Sequence, residues 1–336
     1  MILQNKIKIM LIIFLSWLIL ISTITACNNT ENTDKPASDK LSIITTIFPQ
    51  YDFTKQIAGE KVDLKMLLKP GAESHSYEPT PQDIKLIQAS DLFIYTGGEN
   101  DTWIEGIINS MGSDAPQTMR LIDLVDTVEE EIIEGMEHDH DHDHEKDHDD
   151  EEDYNREHDV HEIDEHVWTS PINAIEIVKE ITDYLLENDQ VNADYYKENS
   201  EKYIKELQEL DQQFVDIVQA AERNVILFGD RFPFRYLADQ YDLDYYAAFS
   251  GCSTNTEASA ATVAFLIDKV EKLKLPVVFS IELSNEKISD SITETTGAEK
   301  LTFHSLHNLS IEELAANETY ISLMQKNLRA LEKALN

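Results

Sequence analysis

The chain has 336 residues and a formal net charge of −38, with 42% hydrophobic and 8% aromatic residues. That length allows two domains of ordinary size, each with its own core, and the apolar content argues against a disordered chain. The acidic excess argues against nucleic acid as a partner, because phosphate binding needs a basic face. It suits cations, which such a field concentrates.

The first residues, MILQNKIKIMLIIFLSWLILISTITAC (1–27), place Lys6 and Lys8 ahead of an apolar run from Ile9 to Ile24. That is the layout of an export signal. Its end, Ile24-Thr25-Ala26-Cys27, resembles the bacterial lipobox, and the resemblance implies cleavage before Cys27 and attachment of lipid to its sulfur. The polar stretch 28–40 then reads as a flexible tether between a membrane anchor and a folded domain. Cys252 is the only other cysteine, so a lipidated Cys27 leaves no intramolecular disulfide and stability must come from core packing.

Three short apolar runs, LSIITTI (41–47), VDLKMLL (62–68) and DLFIYTG (91–97), predict strands early in the chain. NVILFG (224–229), LDYYAAF (243–249), PVVFSIE (276–282) and the weaker KLTFHSL (300–306) predict others late in it. Helical patterns such as ATVAFLIDKVEKLK (261–274) separate many of them, so the expected class is α/β with mostly parallel sheets. Between the two groups, residues 171–187 predict one helix with Thr169 or Ser170 as N-cap and Pro171 in the first turn. Residues 193–223 predict a longer one, with no Pro or Gly. There Tyr203, Leu207, Leu210, Phe214, Ile217 and Val218 share an apolar face. The expected organisation is an N-terminal lobe over 41–192, a stiff connecting helix over 193–223 and a C-terminal lobe over 224–336, with the ligand held in the cleft between the lobes.

A run over 128–165 interrupts the first lobe, and EGMEHDHDHDHEKDHDDEED (134–153) within it alternates histidine with acid. It carries His138, His140, His142, His144, His148, His158 and His161. With few large apolar residues it cannot form a packed core, so a mobile loop is expected. Alternating His-Asp offers many equivalent weak metal sets, each of which must order the chain on binding. An auxiliary metal loop beside a principal site is the expectation.

Ligands of parallel α/β sheets bind beyond the carboxyl ends of the strands. The polar residues expected there are His75 in KPGAESHSYEPTPQDI, His166 in DEHVWTSPINA, Asp230 after NVILFG, Glu257 in GCSTNTEAS and His304 at the end of KLTF. His307 reads as structural or exposed, Trp168 as a packing residue and Cys252 as a buried free thiol. Neutral imidazoles suit Zn²⁺ and other borderline transition metals far better than Ca²⁺ or Mg²⁺.

GAESHSYEPTPQDI and DEHVWTSPINA resemble the two N-lobe motifs of the zinc- and manganese-binding lipoproteins of bacterial ABC transporters. These are metal-specific substrate-binding proteins with two lobes and a rigid connecting helix. FGDRFPFRYLADQYDL and ETTGAEKLTFHSLHNL resemble that family as well, and so does an acidic histidine-rich insertion ahead of the second motif. The resemblance implies His75 and His166 as the first two ligands. It places the family's third ligand at Gly229, which offers none, and the family's late aspartate at His304, which returns one imidazole. The expected set is therefore His75, His166 and His304 around Zn²⁺, with Glu73, then Asp230, then Glu257 as candidates for the fourth position. The expected function is extracytoplasmic capture of Zn²⁺ by a lipid-anchored monomer at the bacterial cell membrane and delivery to an ABC transporter permease, with no reaction catalysed. The alternatives are a manganese or other divalent-metal carrier, or a metal-buffering or adhesin lipoprotein. A zinc hydrolase is disfavoured by the lack of an H-E-x-x-H-type motif.

Overall fold

The computed structural model describes residues 40–74, 77–98, 101–136, 162–253 and 257–336. Its first sheet comprises β1 (Ser42–Thr45), β2 (Asp63–Met66), β3 (Leu92–Tyr95) and β4 (Gln117–Arg120), all parallel, in the order β2-β1-β3-β4. Helices α1 (Phe48–Ala58), α2 (Pro81–Gln88) and α3 (Thr102–Met111) make the crossovers. β3 reads Leu-Phe-Ile-Tyr and is buried throughout, as a central parallel strand covered on both faces must be. β4 lay outside the expected strands. Its sequence, QTMR, has no apolar run, and it is a strand because it pairs with β3 at the sheet edge.

Two helices follow, α4 (Pro171–Asn188) and α5 (Ala193–Ala220). The Ser170 hydroxyl caps α4 by accepting the Asn173 amide at 3.2 Å, and Pro171 opens the first turn. α5 has 28 residues, which spans roughly 42 Å at 1.5 Å per residue. Tyr196, Ser200, Tyr203, Leu207, Leu210 and Phe214 bury its inner face, whereas Ile217 and Val218 near its end are only partly covered.

The second sheet repeats the first topology. β5 (Val225–Phe232), β6 (Asp244–Ser250), β7 (Val277–Ser280) and β8 (Glu299–Thr302) pair in parallel in the order β6-β5-β7-β8. α6 (Arg235–Tyr241), α7 (Ala260–Leu273) and α8 (Lys287–Thr296) connect them, and α9 (Ile311–Ala315) and α10 (Tyr320–Leu335) end the chain. The lobes share core: one buried cluster runs from Phe53 and Trp168 through Leu207 and Phe214 to Phe228 and Tyr320. α5 packs on α1, α4 and α10, so it is glued to both lobes along its length.

Each sheet reverses strand order beside its first strand, and the carboxyl ends of β1 and β3 open at such a switch point. The described flanks of the histidine-rich run are pinned near it. Glu129 and Ile163 form an antiparallel bridge, the Asp164 amide donates to the Val128 carbonyl at 3.0 Å, and Met136 is buried. His138, His140, His142, His144, His148, His158 and His161 lie outside the described residues, as do Cys27 and His75. Among the described residues no helix is long and apolar enough to cross a membrane.

Candidate metal site

His166 is set by its immediate neighbours. Asp164 Oδ1 accepts both the His166 amide at 2.8 Å and the ring Nδ1 at 3.0 Å, so one carboxylate fixes backbone and imidazole together. A 3₁₀ turn over Val167–Thr169 and the Ser170 cap then carry the chain into α4. The ring is fully buried. Burial alone would lower its pKa, but Asp164, Glu165 and Glu130 outweigh that and hold it raised. With Nδ1–H donated to a carboxylate, the ring presents Nε2 as its lone-pair atom, the arrangement found behind most metal-bound histidines.

The imidazole that meets His166 comes from the second lobe, and it is His307. The two ring centroids are 4.8 Å apart at 84°, with Trp168 against both, 5.5 Å from His166 and 4.9 Å from His307. Trp168 does more than pack. Its indole N–H donates to the Ser305 carbonyl at 2.8 Å, and the Tyr320 hydroxyl donates to the Trp168 carbonyl at 2.7 Å, tying the loop after β8 to the first lobe. A cavity of about 30 Å³ lies alongside, lined by Ile47, Ser74, Thr96, Asp101, Glu165, Trp168 and His307. That volume suits one water or one ion. Two carboxylates face it. Burial pushes Asp101 up to about 6, against the pull of the Gly97 and Thr96 amides that donate to it. Glu165 is buried over Gly98, whose φ of 95° and missing Cβ leave room for the carboxylate.

His304 does not join this group. Its ring Nδ1 lies 3.4 Å from Glu313 Oε1, also in the second lobe. Among the described residues the imidazole against His166 is that of His307, the histidine set aside as structural or exposed, while His304 is turned to Glu313. Gly229 also needs correction. A Cβ there would lie 2.6 Å from the backbone N and Cα of Ser289, so the position is where α8 touches β5, and no ligand side chain fits. The β5 side chain that reaches the first lobe is Arg231. Its guanidinium meets Glu73 Oε1 at 3.0 Å and donates to the Ser253 carbonyl at 3.3 Å.

The three candidates for the fourth position are thus engaged elsewhere. Glu73 pairs with Arg231. Asp230 accepts the Arg231 and Ile281 amides at 2.9 and 3.3 Å and braces the ends of β5 and β7. Glu257 is exposed beside Lys287, 3.4 Å away. Glu165 and Asp101 are the carboxylates at the cavity, and Asp101 is taken up by the Thr96 and Gly97 amides; both were missed because nothing in their spacing marks them. Asn308 was missed too. Its buried amide donates to the Lys69 and Ala72 carbonyls at 2.7 and 2.8 Å, holding the segment that leads to His75 against the second lobe. Among the described residues no three His, Cys, Asp or Glu side chains already close on one point. Cys252 borders the same wall. Its amide donates to Glu130 at 3.0 Å, and burial with the surrounding acids pushes its thiol pKa well up, so it stays a thiol.

Comparison with known proteins meets this geometry from outside. The chain is 34% identical over 314 residues to the high-affinity zinc uptake system protein ZnuA of Bacillus subtilis (strain 168), a match over 93% of each chain. It is 32% identical over 314 residues to the zinc-binding lipoprotein AdcA of Streptococcus pneumoniae, covering 92% of this chain but 58% of that longer protein. The crystal structure of the Zn(II)-bound ZnuA-like domain of that AdcA superposes with a TM-score of 0.70 at 29% identity, over 88% of this chain and 99% of the other. The family model described as zinc-uptake complex component A, periplasmic, matches residues 43–334, and the chain belongs to that family.

Proposed function

We propose that this protein captures Zn²⁺ outside the cytoplasm and hands it to the permease of an ABC transporter, without catalysing a reaction. The observation that carries the reading is the ion-sized cavity lined by Glu165 from one lobe and His307 from the other, with the Asp164-anchored His166 ring 4.8 Å from that of His307. His75 follows Ser74 at the rim of that cavity in sequence and supplies the third imidazole. His166, His307 and His75 with the Glu165 carboxylate form a three-nitrogen, one-oxygen set, which favours zinc over manganese with its taste for more oxygen ligands. The contacts already joining the lobes keep His166 and His307 side by side, so the ligands close on the ion by side-chain adjustment rather than by a large movement of the lobes.

Cys27 anchors the protein to the membrane through lipid, and the protein works as a monomer. The histidine-rich segment gathers zinc and passes it on. Protons compete with the metal for imidazole nitrogen, and the acids around His166 raise its proton affinity. On acidification zinc affinity should therefore start to drop while the pH is still above the ordinary imidazole value of about 6.5. The test is a chelator-competed calorimetric titration of full-length protein in which the seven loop histidines are changed to asparagine. One tight zinc equivalent that excess manganese does not displace, and that His166→Ala abolishes, is the expected result. Tight binding that survives His166→Ala would remove the cleft from the function.

A further inference from the structure

His307 is held from behind by a chain of hydrogen bonds that begins on a different strand. Glu282 stands just beyond the carboxyl end of β7. Its Oε2 accepts the Ser305 amide at 2.6 Å, and its Oε1 accepts the Ser305 hydroxyl at 2.6 Å. The same hydroxyl oxygen lies 2.7 Å from His307 Nδ1. A serine hydroxyl has one proton to give. With that proton on Glu282, the contact to His307 holds only if Nδ1 carries a hydrogen and donates it to Ser305 Oγ. The tautomer of His307 is then fixed, with the lone pair on Nε2. His166 reaches the same state by a shorter route, its Nδ1 bonded directly to the Asp164 carboxylate. The two facing rings are thus braced in the same sense, one by an acid and one by an acid acting through a hydroxyl.

We propose that Glu282 and Ser305 are positioning residues that lock His307 as an Nδ1–H imidazole and so make its Nε2 a zinc ligand. This rests on the reading that His307 holds the metal. Ser305 is buried and also gives its backbone carbonyl to Trp168, so the brace and the wall between the two imidazoles are one piece of chain. Partners of this kind orient the ring and raise its basicity, and losing one costs about 10–100-fold in metal affinity.

Glu282→Gln separates orientation from mere support. The Ser305 amide can only donate, so the glutamine carbonyl must stay on it. The glutamine NH₂ then faces the Ser305 hydroxyl and donates to it, and the hydroxyl proton turns to His307 Nδ1. Every contact is kept, yet the tautomer inverts. The experiment is long-range ¹H–¹⁵N correlation of ¹⁵N-histidine-labelled, zinc-stripped full-length protein, with the His307 signals identified by their loss in His307→Asn, alongside chelator-competed zinc affinity. The expected result is an Nδ1–H signature in the parent and in Ser305→Thr, and an Nε2–H signature in Glu282→Gln, whose zinc affinity falls about 10-fold or more. Ser305→Ala should weaken zinc similarly, and Ser305→Thr should restore affinity to within about threefold. An Nε2–H signature for His307 in the parent protein overturns the relay. An Nδ1–H signature combined with full zinc affinity in His307→Asn overturns instead the assignment of His307 as ligand, and the two failures are told apart by which measurement departs.

Discussion

The first lobe presents His166 from a turn dictated at close range, whereas the second presents His307 from an irregular segment shaped at long range. Asp164 is two residues from the imidazole it holds, and the Ser170 cap that starts α4 is four residues away. Around His307, by contrast, Ser305 is bound by Glu282 from just beyond β7 and by Trp168 from the other lobe. The neighbouring Asn308 is bound to carbonyls of residues 69 and 72. The lesson is that a local motif announces its own geometry, while a segment without periodicity is given geometry by whatever it packs against. His304 and His307 stand three residues apart on such a segment, and their rings serve different neighbours.

The largest expected effect breaks this pairing directly. His307→Ala should weaken zinc by more than about 100-fold, beyond the loss expected of a merely orienting partner. His304→Ala should leave zinc affinity within about threefold, because its ring answers to Glu313 and not to His166. Competition with a chelator of known affinity checks both variants. Equal losses in the two would mean that both rings reach the metal, and a loss only in His304→Ala would reverse the assignment.

Gly229 gives the next effect, on folding rather than binding. Adding one methyl drives Cβ to 2.6 Å from the Ser289 backbone, and backbone cannot swing away as a side-chain tip does. Overpacking of this kind costs about 1–3 kcal/mol. Gly229→Ala should therefore lower the urea midpoint of zinc-free protein, and Gly229→His should lower it further without adding a ligand. A Gly229→His protein that folds normally and binds zinc more tightly would restore the expectation that this position faces the cleft.

Much of the architecture was legible because it follows local rules. Alternation of apolar runs and helical stretches gives the two parallel sheets, and the spacing from Tyr203 to Phe214 gives the long helix. β4 was not legible, since an edge strand of Gln, Thr, Met and Arg earns its state from β3. At the site, the position of His166 just ahead of a Ser-Pro helix start was readable. Glu165 and His307 were not, because carboxylates and histidines abound in this chain and only folding brings these two to one cavity. Gly229 misled because an absent side chain looks like a lost ligand, when the absence makes room for α8.

The smallest effects lie in two ion pairs whose acids, Glu73 and Glu257, were the first and last of the oxygen candidates. Arg231–Glu73 crosses between the lobes at 3.0 Å with the guanidinium only 10% exposed. Lys287–Glu257 sits at 3.4 Å with side chains 68% and 79% exposed. Exposed pairs contribute little, because water screens the charges and two long side chains must be ordered. The cross-lobe pair is better shielded, and its arginine is also fixed by the Ser253 carbonyl. Double-mutant cycles with Arg231→Met and Glu73→Gln, read by urea unfolding without zinc, should give a coupling of about 1 kcal/mol. The Lys287→Met and Glu257→Gln cycle should give no more than about 0.3 kcal/mol. Salt separates them further, since added chloride should erase the outer coupling and leave most of the inner one. If the inner pair showed no coupling, Arg231 would not be what holds the approach to His75 against the second lobe, and that task would fall to Asn308 and to the Gly71 amide, which donates to the Leu309 carbonyl at 2.7 Å. Were Glu257→Gln instead to weaken zinc, the exposed acid would have to travel to the cavity, and binding would demand a far larger rearrangement than closing the side chains of the cavity on the ion.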